Sequence, residues 1–229
     1  MSAIASNLQA VKFRIEKAAL AAGRNPSEVQ LLAVSKTWPL ACIMEAVAAG
    51  QSAFGENYAQ EGVDKIRAAP ERSLQWHFIG PLQSNKTRLV AEHFDWVHSV
   101  DRLKVAERLS EQRPADCQPL QVCLQVNVSG EASKSGCPAD EALALCRSIV
   151  ALPNLRLRGL MAIPEPVDNF AAQRAPFRQL RELRERIGNA GLALDTLSMG
   201  MSHDLEAAIA EGATIVRIGT AIFGERNYA

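Results

Sequence analysis

From residue 31 onward, short apolar runs of strand length alternate with stretches of helical periodicity, and no Gly/Ser-rich or Pro-rich linker interrupts the series. Strand-like runs fall at 31–36, 53–57, 76–80, 96–100, 120–128, 155–163, 196–200 and 215–223. Helical stretches lie between them, at 40–49, 58–69, 84–93, 102–113, 138–151, 168–190 and 203–211. Ahead of the series, Ile4, Leu8, Val11, Ile15 and Leu20 recur at helical spacing until Gly23 and Pro26, which predicts an N-terminal helix. Strands separated by helices imply right-handed βαβ units and a parallel sheet. Eight such units close most naturally into a single α/β domain spanning 1–229, a (β/α)8 TIM barrel preceded by the N-terminal helix. A doubly wound open sheet is the alternative, and the periodicity alone does not separate the two.

Either architecture places ligands at the carboxyl ends of the strands, so strand-end residues are the candidates for chemistry. "LLAVSKTWP", residues 31–39, ends its first strand on Lys36. One reading is a lysine with its stem on apolar surface and its ammonium in water. The other is a desolvated amine able to form a Schiff base with an aldehyde. The remaining strand ends carry Asn57, His77 to Gly80, Asn127, Met161, Ser198 to Ser202 and Arg217 to Thr220. This face is poor in acids and rich in small and amide groups, which suits an anionic ligand better than a metal.

Two segments sharpen that expectation. "LSMGMSHDLEAAIAEG" runs from a strand through a glycine turn into a helix start, where open N–H groups and the Ser202 hydroxyl make an anion site. Plain N-capping by Ser202 is the competing reading. "VRIGTAIFG" adds Gly219 and Thr220 at the end of the last strand, and the loops after strands seven and eight are the usual phosphate cradle of a barrel. "GPLQSNKT", at 80–87, imitates a nucleotide phosphate loop, but Pro81 removes a backbone donor and Asn85 replaces the second glycine. His77 and Asn57 each have a plain reading as satisfied polar groups of the barrel interior.

Composition excludes several function classes. Lys plus Arg and Asp plus Glu both number 25, so no global field favours nucleic acid or an anionic membrane. The five cysteines form no C-x-x-C pair and the four histidines no H-x-x-x-H, which argues against disulfides and against a metal site. The N-terminus lacks the unbroken apolar core of a signal peptide and no segment has the length to span a bilayer, so a cytoplasmic location is expected.

A lysine at the end of strand one and a phosphate cradle at strands seven and eight are the parts needed to hold pyridoxal 5′-phosphate (PLP). "LLAVSKT", "FGENYAQEGVDK", "WHFIGPLQSNK", "SVDRL", "LQVNVSGEASKSG", "LRGLMAIPEP" and "LSMGMSHDLEAAIAEGATIVRIGTAIFG" closely resemble the pyridoxal phosphate homeostasis protein family, relatives of the alanine racemase N-terminal domain, over nearly the whole chain. The resemblance implies that Lys36 carries the cofactor as a Schiff base. It implies that Ser198, Met199, Gly200, Ser202, Gly219 and Thr220 hold the phosphate, that Arg217 faces the pyridine nitrogen, and that Asn57 and His77 line the pocket. His203 occupies the variable position of G-M-S-x-D and is read as a helix-start residue.

Alanine racemases use a tyrosine beside an additional β domain as second acid/base group. Here the tyrosines are Tyr58 and Tyr228, and the sequence after the last strand is short. An arginine against the ring nitrogen also weakens the cofactor as an electron sink. The expectation is therefore a carrier, not an enzyme, a monomer with a dimer as the alternative, that holds PLP and delivers it to PLP-dependent apo-enzymes, with no nucleic acid and no membrane as partner. A weak PLP-dependent amino-acid racemase is the alternative, and a cofactor-free Schiff-base lyase a third reading. Lys134, in the loop after strand five, has a plain reading as a solvated lysine balancing Glu131; the competing reading is that it assists release of the bound aldehyde by transimination.

Overall fold

The structure, a computed structural model, describes residues 2–71, 73–129 and 135–225. The alternation becomes eight parallel strands: β1 (Gln30–Val34), β2 (Ala53–Glu56), β3 (Gln75–Phe78), β4 (Trp96–Val100), β5 (Leu120–Gln125), β6 (Leu155–Met161), β7 (Thr196–Ser198) and β8 (Ile215–Ile218). They pair in sequence order, and β8 returns to β1 with Leu32 opposite Arg217, which closes the barrel. The open doubly wound sheet is thereby excluded.

Helices cover the outside: α1 (Ala3–Ala21) ahead of the barrel, then α2 (Leu40–Ala48), α3 (Ala59–Ala68), α4 (Thr87–His93), α5 (Leu103–Gln112), α6 (Ala142–Val150), α7 (Phe170–Asn189) and α8 (Leu205–Ala210). Strand side chains alternate between two cores. Ala33, Phe54, Val97 and Leu124 face outward, in one core with Ile43, Val63, Leu109 and Phe177 of the helices. Leu32, Val34, Ala53, Trp96, Cys123 and Met161 face inward and fill the barrel. Each fully buried side chain of this size contributes about 1.5–3 kcal/mol relative to exposure.

The helix α1 buries Ile4, Leu8, Val11, Ile15 and Ala19. Leu20, expected on that stripe, is 61% exposed, because the buried face continues at Ala19, four residues after Ile15. The segment 215–223, expected as one strand, is instead β8 followed at Gly219 by a single helical turn, α9 (Thr220–Phe223). An apolar run of this length has no period that distinguishes the two. The consequence is functional, since the chain turns at Gly219 and Thr220 and leaves them at the barrel mouth.

Candidate functional site

At the carboxyl ends of the strands a cavity of about 210 Å³ is lined by Val34, Lys36, Asn57, Ile79, Ile163, Met201, Ser202, His203, Arg217, Gly219 and Thr220. Strand parity explains the first of these. Leu32 and Val34 point into the barrel, so Lys36, two residues on, reaches its mouth while Ser35 turns outward. Six residues anticipated from sequence therefore converge: Lys36, Asn57, Ser202, Arg217, Gly219 and Thr220. Ile79 and Met201, which fall within the strand-end segments read from sequence, and Ile163, which does not, supply apolar walls, and His203, read there as a helix-start residue, also lines the cavity.

The Ser202 hydroxyl is free for a ligand because it is not a cap. The N-cap of α8 is Asp204, whose Oδ1 accepts from the Met201 N–H at 2.6 Å. Neither the Ser202 nor the Thr220 hydroxyl has a partner among the described residues. At the start of α9 the Thr220 and Ala221 N–H groups have no acceptor among the described residues, whereas Ile222 and Phe223 give theirs to the Gly219 carbonyl. Gly200 makes the preceding turn at φ +94°, where an added Cβ would stand 2.5 Å from the Ala208 Cβ. Its carbonyl accepts from the Arg217 N–H at 2.9 Å, tying the two segments together.

Asn57 brings an unsatisfied group. Its Oδ1 is buried without a hydrogen-bond partner among the described residues, a costly state that a donor on a ligand would relieve. Gly80 allows Asn57 its position, because a Cβ at residue 80 would come within 2.2 Å of the Asn57 carbonyl oxygen.

Below the cavity floor lies a polar chain within the apolar barrel. Arg217 donates from Nη1 to Ser198 Oγ at 2.8 Å and from Nη2 to the Ala162 carbonyl at 3.0 Å. Ser198 Oγ is 2.7 Å from His98 Nδ1, and His98 Nε2 is 2.9 Å from His77 Nδ1. Arginine can only donate, so Ser198 Oγ accepts from Arg217 and keeps both its own hydrogen and a second lone pair for His98 Nδ1. The two rings complete the chain, which ends at His77 Nε2, buried with no partner among the described residues. Burial pushes the His77 pKa down to about 3. Burial, then His77 and Arg217, hold His98 well below the ordinary imidazole value. Both rings are neutral at physiological pH. Burial lowers the Arg217 pKa to about 10, against the opposing pull of Asp204 and Cys123, so the guanidinium remains charged.

The other anticipated residues are placed differently. His77 is fully buried, stacked on Trp96 with centroids 5.3 Å apart, and lies in the polar chain instead of among the residues that line the cavity. Ser198 acts as the partner of Arg217 and His98. Met199 is wholly buried in the outer core and its N–H is given to the Ile215 carbonyl. Asn127 lines a separate cavity with Val126, Gly136 and Pro138. Lys134 lies outside the described residues. In the false phosphate loop, Thr87 is buried and its hydroxyl donates to the Ser84 carbonyl, so it faces no nucleotide. Among the described residues no group of His, Cys, Asp or Glu could hold a metal ion. Burial raises the thiols of Cys123, Cys137 and Cys146 to about 12, beyond use as nucleophiles.

A second lysine, Lys65 on α3, is also buried. Its three ammonium hydrogens are donated to Glu56 Oε1, Glu61 Oε1 and the Ser35 carbonyl, at 2.8, 2.6 and 2.8 Å. It has no lone pair to offer an aldehyde. Tyr58 precedes α3 and is 57% exposed, away from the cavity lining.

The sequence model of the family described as "Alanine racemase, N-terminal domain" matches residues 6–227. The chain is 64% identical over 228 residues to a pyridoxal phosphate homeostasis protein of Pseudomonas aeruginosa, covering 100% of this chain and 98% of that protein. It is 55% identical over 232 residues to the protein of the same name from Escherichia coli, covering 100% and 99%. Among solved structures, PipY of Synechococcus elongatus with PLP bound superposes with a TM-score of 0.82 at 40% identity, over 96% of this chain and 100% of that one. Alanine racemase from Corynebacterium glutamicum shares the fold at a TM-score of 0.73 and 17% identity, over 98% of this chain and 61% of that one.

Proposed function

We propose a function for a chain that belongs to the family of pyridoxal phosphate homeostasis proteins, with the fold of the alanine racemase N-terminal domain: it binds PLP through Lys36 and takes part in the cell's handling of that cofactor. The observation that carries this reading is one cavity joining a strand-end lysine to an arginine and to two hydroxyls and an amide oxygen that have no partner among the described residues. That donor set fits PLP. Ser202, Thr220 and the start of α9 supply hydrogen bonds to a phosphate, Asn57 Oδ1 accepts from a hydroxyl, and Arg217 offers a fixed cation to a ring nitrogen. When bound, the group supplies an aldehyde that condenses with a primary amine.

The protein's own contribution is to hold. Arg217 is locked by Ser198 and the Ala162 carbonyl, and its charge against the ring nitrogen opposes the protonation that carbanion chemistry exploits. Tyr58 stands apart from the cavity, and the two ring nitrogens of the His98 link are committed to Ser198 and His77. We assign the chain to storage and delivery of PLP over turnover of amino acids, with apo-enzymes as recipients. Titration with PLP tests this. The wild type should develop an absorbance band distinct from free PLP, Lys36→Ala should lose it, and neither should interconvert D- and L-amino acids faster than PLP alone.

A further inference from the structure

The residues on either side of Lys36 are fastened to one buried ionic cluster that lies outside the barrel. Outward-facing Ser35 donates from Oγ to Glu56 Oε1 at 2.6 Å, and its carbonyl accepts from Lys65 Nζ at 2.8 Å. Thr37 donates its backbone N–H to Glu61 Oε1 at 2.5 Å. The Lys65 ammonium joins the two carboxylates, being 2.8 Å from Glu56 and 2.6 Å from Glu61. Glu56 and Lys65 have side chains only 0% and 8% exposed, so the cluster is shielded from competing water.

The backbone at this point needs holding. Thr37 has φ +67°, the left-handed region that a β-branched residue adopts only when its surroundings impose it. Glu61, one helical turn before Lys65 on α3, accepts the N–H of that strained residue. Alternation puts Ser35 outward and Lys36 inward, so the cluster grips the loop from behind while the amine faces the cavity.

We propose that Lys65, Glu56 and Glu61 are positioning residues for the Lys36 amine, fixing the loop on both sides so that Nζ meets an incoming aldehyde in reactive geometry. This rests on Lys36 being the PLP-bearing residue. In capture, Lys36 Nζ bonds to the aldehyde carbon as C=N, and the aldehyde oxygen leaves as water with the two amine hydrogens. The clamp touches neither reactant. Its effect is on orientation, where small misplacements are expensive.

Glu61 is the point of attack, since its side chain is 28% exposed and its loss leaves the inner Glu56–Lys65 pair intact. PLP capture is followed by absorbance, fixed with borohydride and mapped by peptide analysis, alongside thermal unfolding. Glu61→Ala should slow capture at Lys36 about 10- to 100-fold with little change in unfolding midpoint. Glu61→Gln keeps an oxygen for the Thr37 N–H and should remain within about threefold of wild type. Glu185→Ala, which breaks an exposed pair on α7 with Arg181, is the control and should change nothing. Wild-type capture rates in Glu61→Ala, or equal losses in the Ala and Gln variants, would overturn the clamp. A wild-type label on another lysine would instead overturn the role of Lys36 proposed above, and the clamp with it.

Discussion

His98 Nδ1 and Ser198 Oγ meet at 2.7 Å across the barrel, from β4 to β7, although 100 residues of chain separate them. The contact is the middle link between the Arg217 cation at the cavity and the neutral His77 in the barrel interior. A serine at this point bonds both neighbours through one oxygen, which no aliphatic residue does.

Ser198→Ala should therefore cost more than a buried methyl substitution suggests. It leaves an Arg217 donor and the His98 Nδ1 without their partner, for a loss of about 1–3 kcal/mol. Urea unfolding measures that loss. PLP titration of the same variant should show weaker binding, because Arg217 keeps only its bond to the Ala162 carbonyl.

The histidine pair predicts acid sensitivity. The pKa of His77 is about 3 in the folded chain against 6.5 when free, and that of His98 is also depressed, so the unfolded chain takes up protons that the folded chain refuses. Stability from the pair is complete above about pH 6.5 and is lost as pH falls from there toward 3. For His77 alone the loss between pH 7 and pH 5 is about 2 kcal/mol. Unfolding free energies at the two pH values should show it, and His77→Gln should flatten the difference; an unchanged slope in the variant would contradict the assignment.

Ser202→Ala with Thr220→Val should remove hydrogen bonds to a phosphate worth about 1.5–3 kcal/mol each. Binding of PLP should weaken far more than binding of pyridoxal, which lacks the phosphate. Equal losses for the two would place the phosphate elsewhere.

Gly80→Ala should disturb the site without touching the ligand. Its Cβ would collide with the Asn57 backbone, at 2.2 Å from the carbonyl oxygen. Overpacking of this kind costs about 1–3 kcal/mol. A lowered unfolding midpoint together with weaker PLP binding is expected.

Much of this architecture is legible in the sequence because it depends on local periods. Alternation between period two and period 3.6 announces the barrel, and the same parity that buries Leu32 and Val34 directs Lys36 to the mouth. What stays hidden depends on pairing between distant strands. His98 stands in sequence as a polar residue inside "WVHSV", and only barrel closure sets it between His77 and Ser198. Lys65 reads as an ordinary charged residue on α3, yet it is buried because Glu56 and Ser35 face it from neighbouring strands. The turn at Gly219 is concealed by an apolar run that satisfies strand and helix alike.

Borohydride trapping identifies the amine that holds PLP. The chain is incubated with PLP, reduced, digested and mapped for the lysine carrying the pyridoxyl group. The label should fall on Lys36, with Lys65 unmodified because its hydrogens are committed to Glu56, Glu61 and Ser35. A label on Lys65 or any other lysine, with Lys36 recovered unmodified, would contradict it.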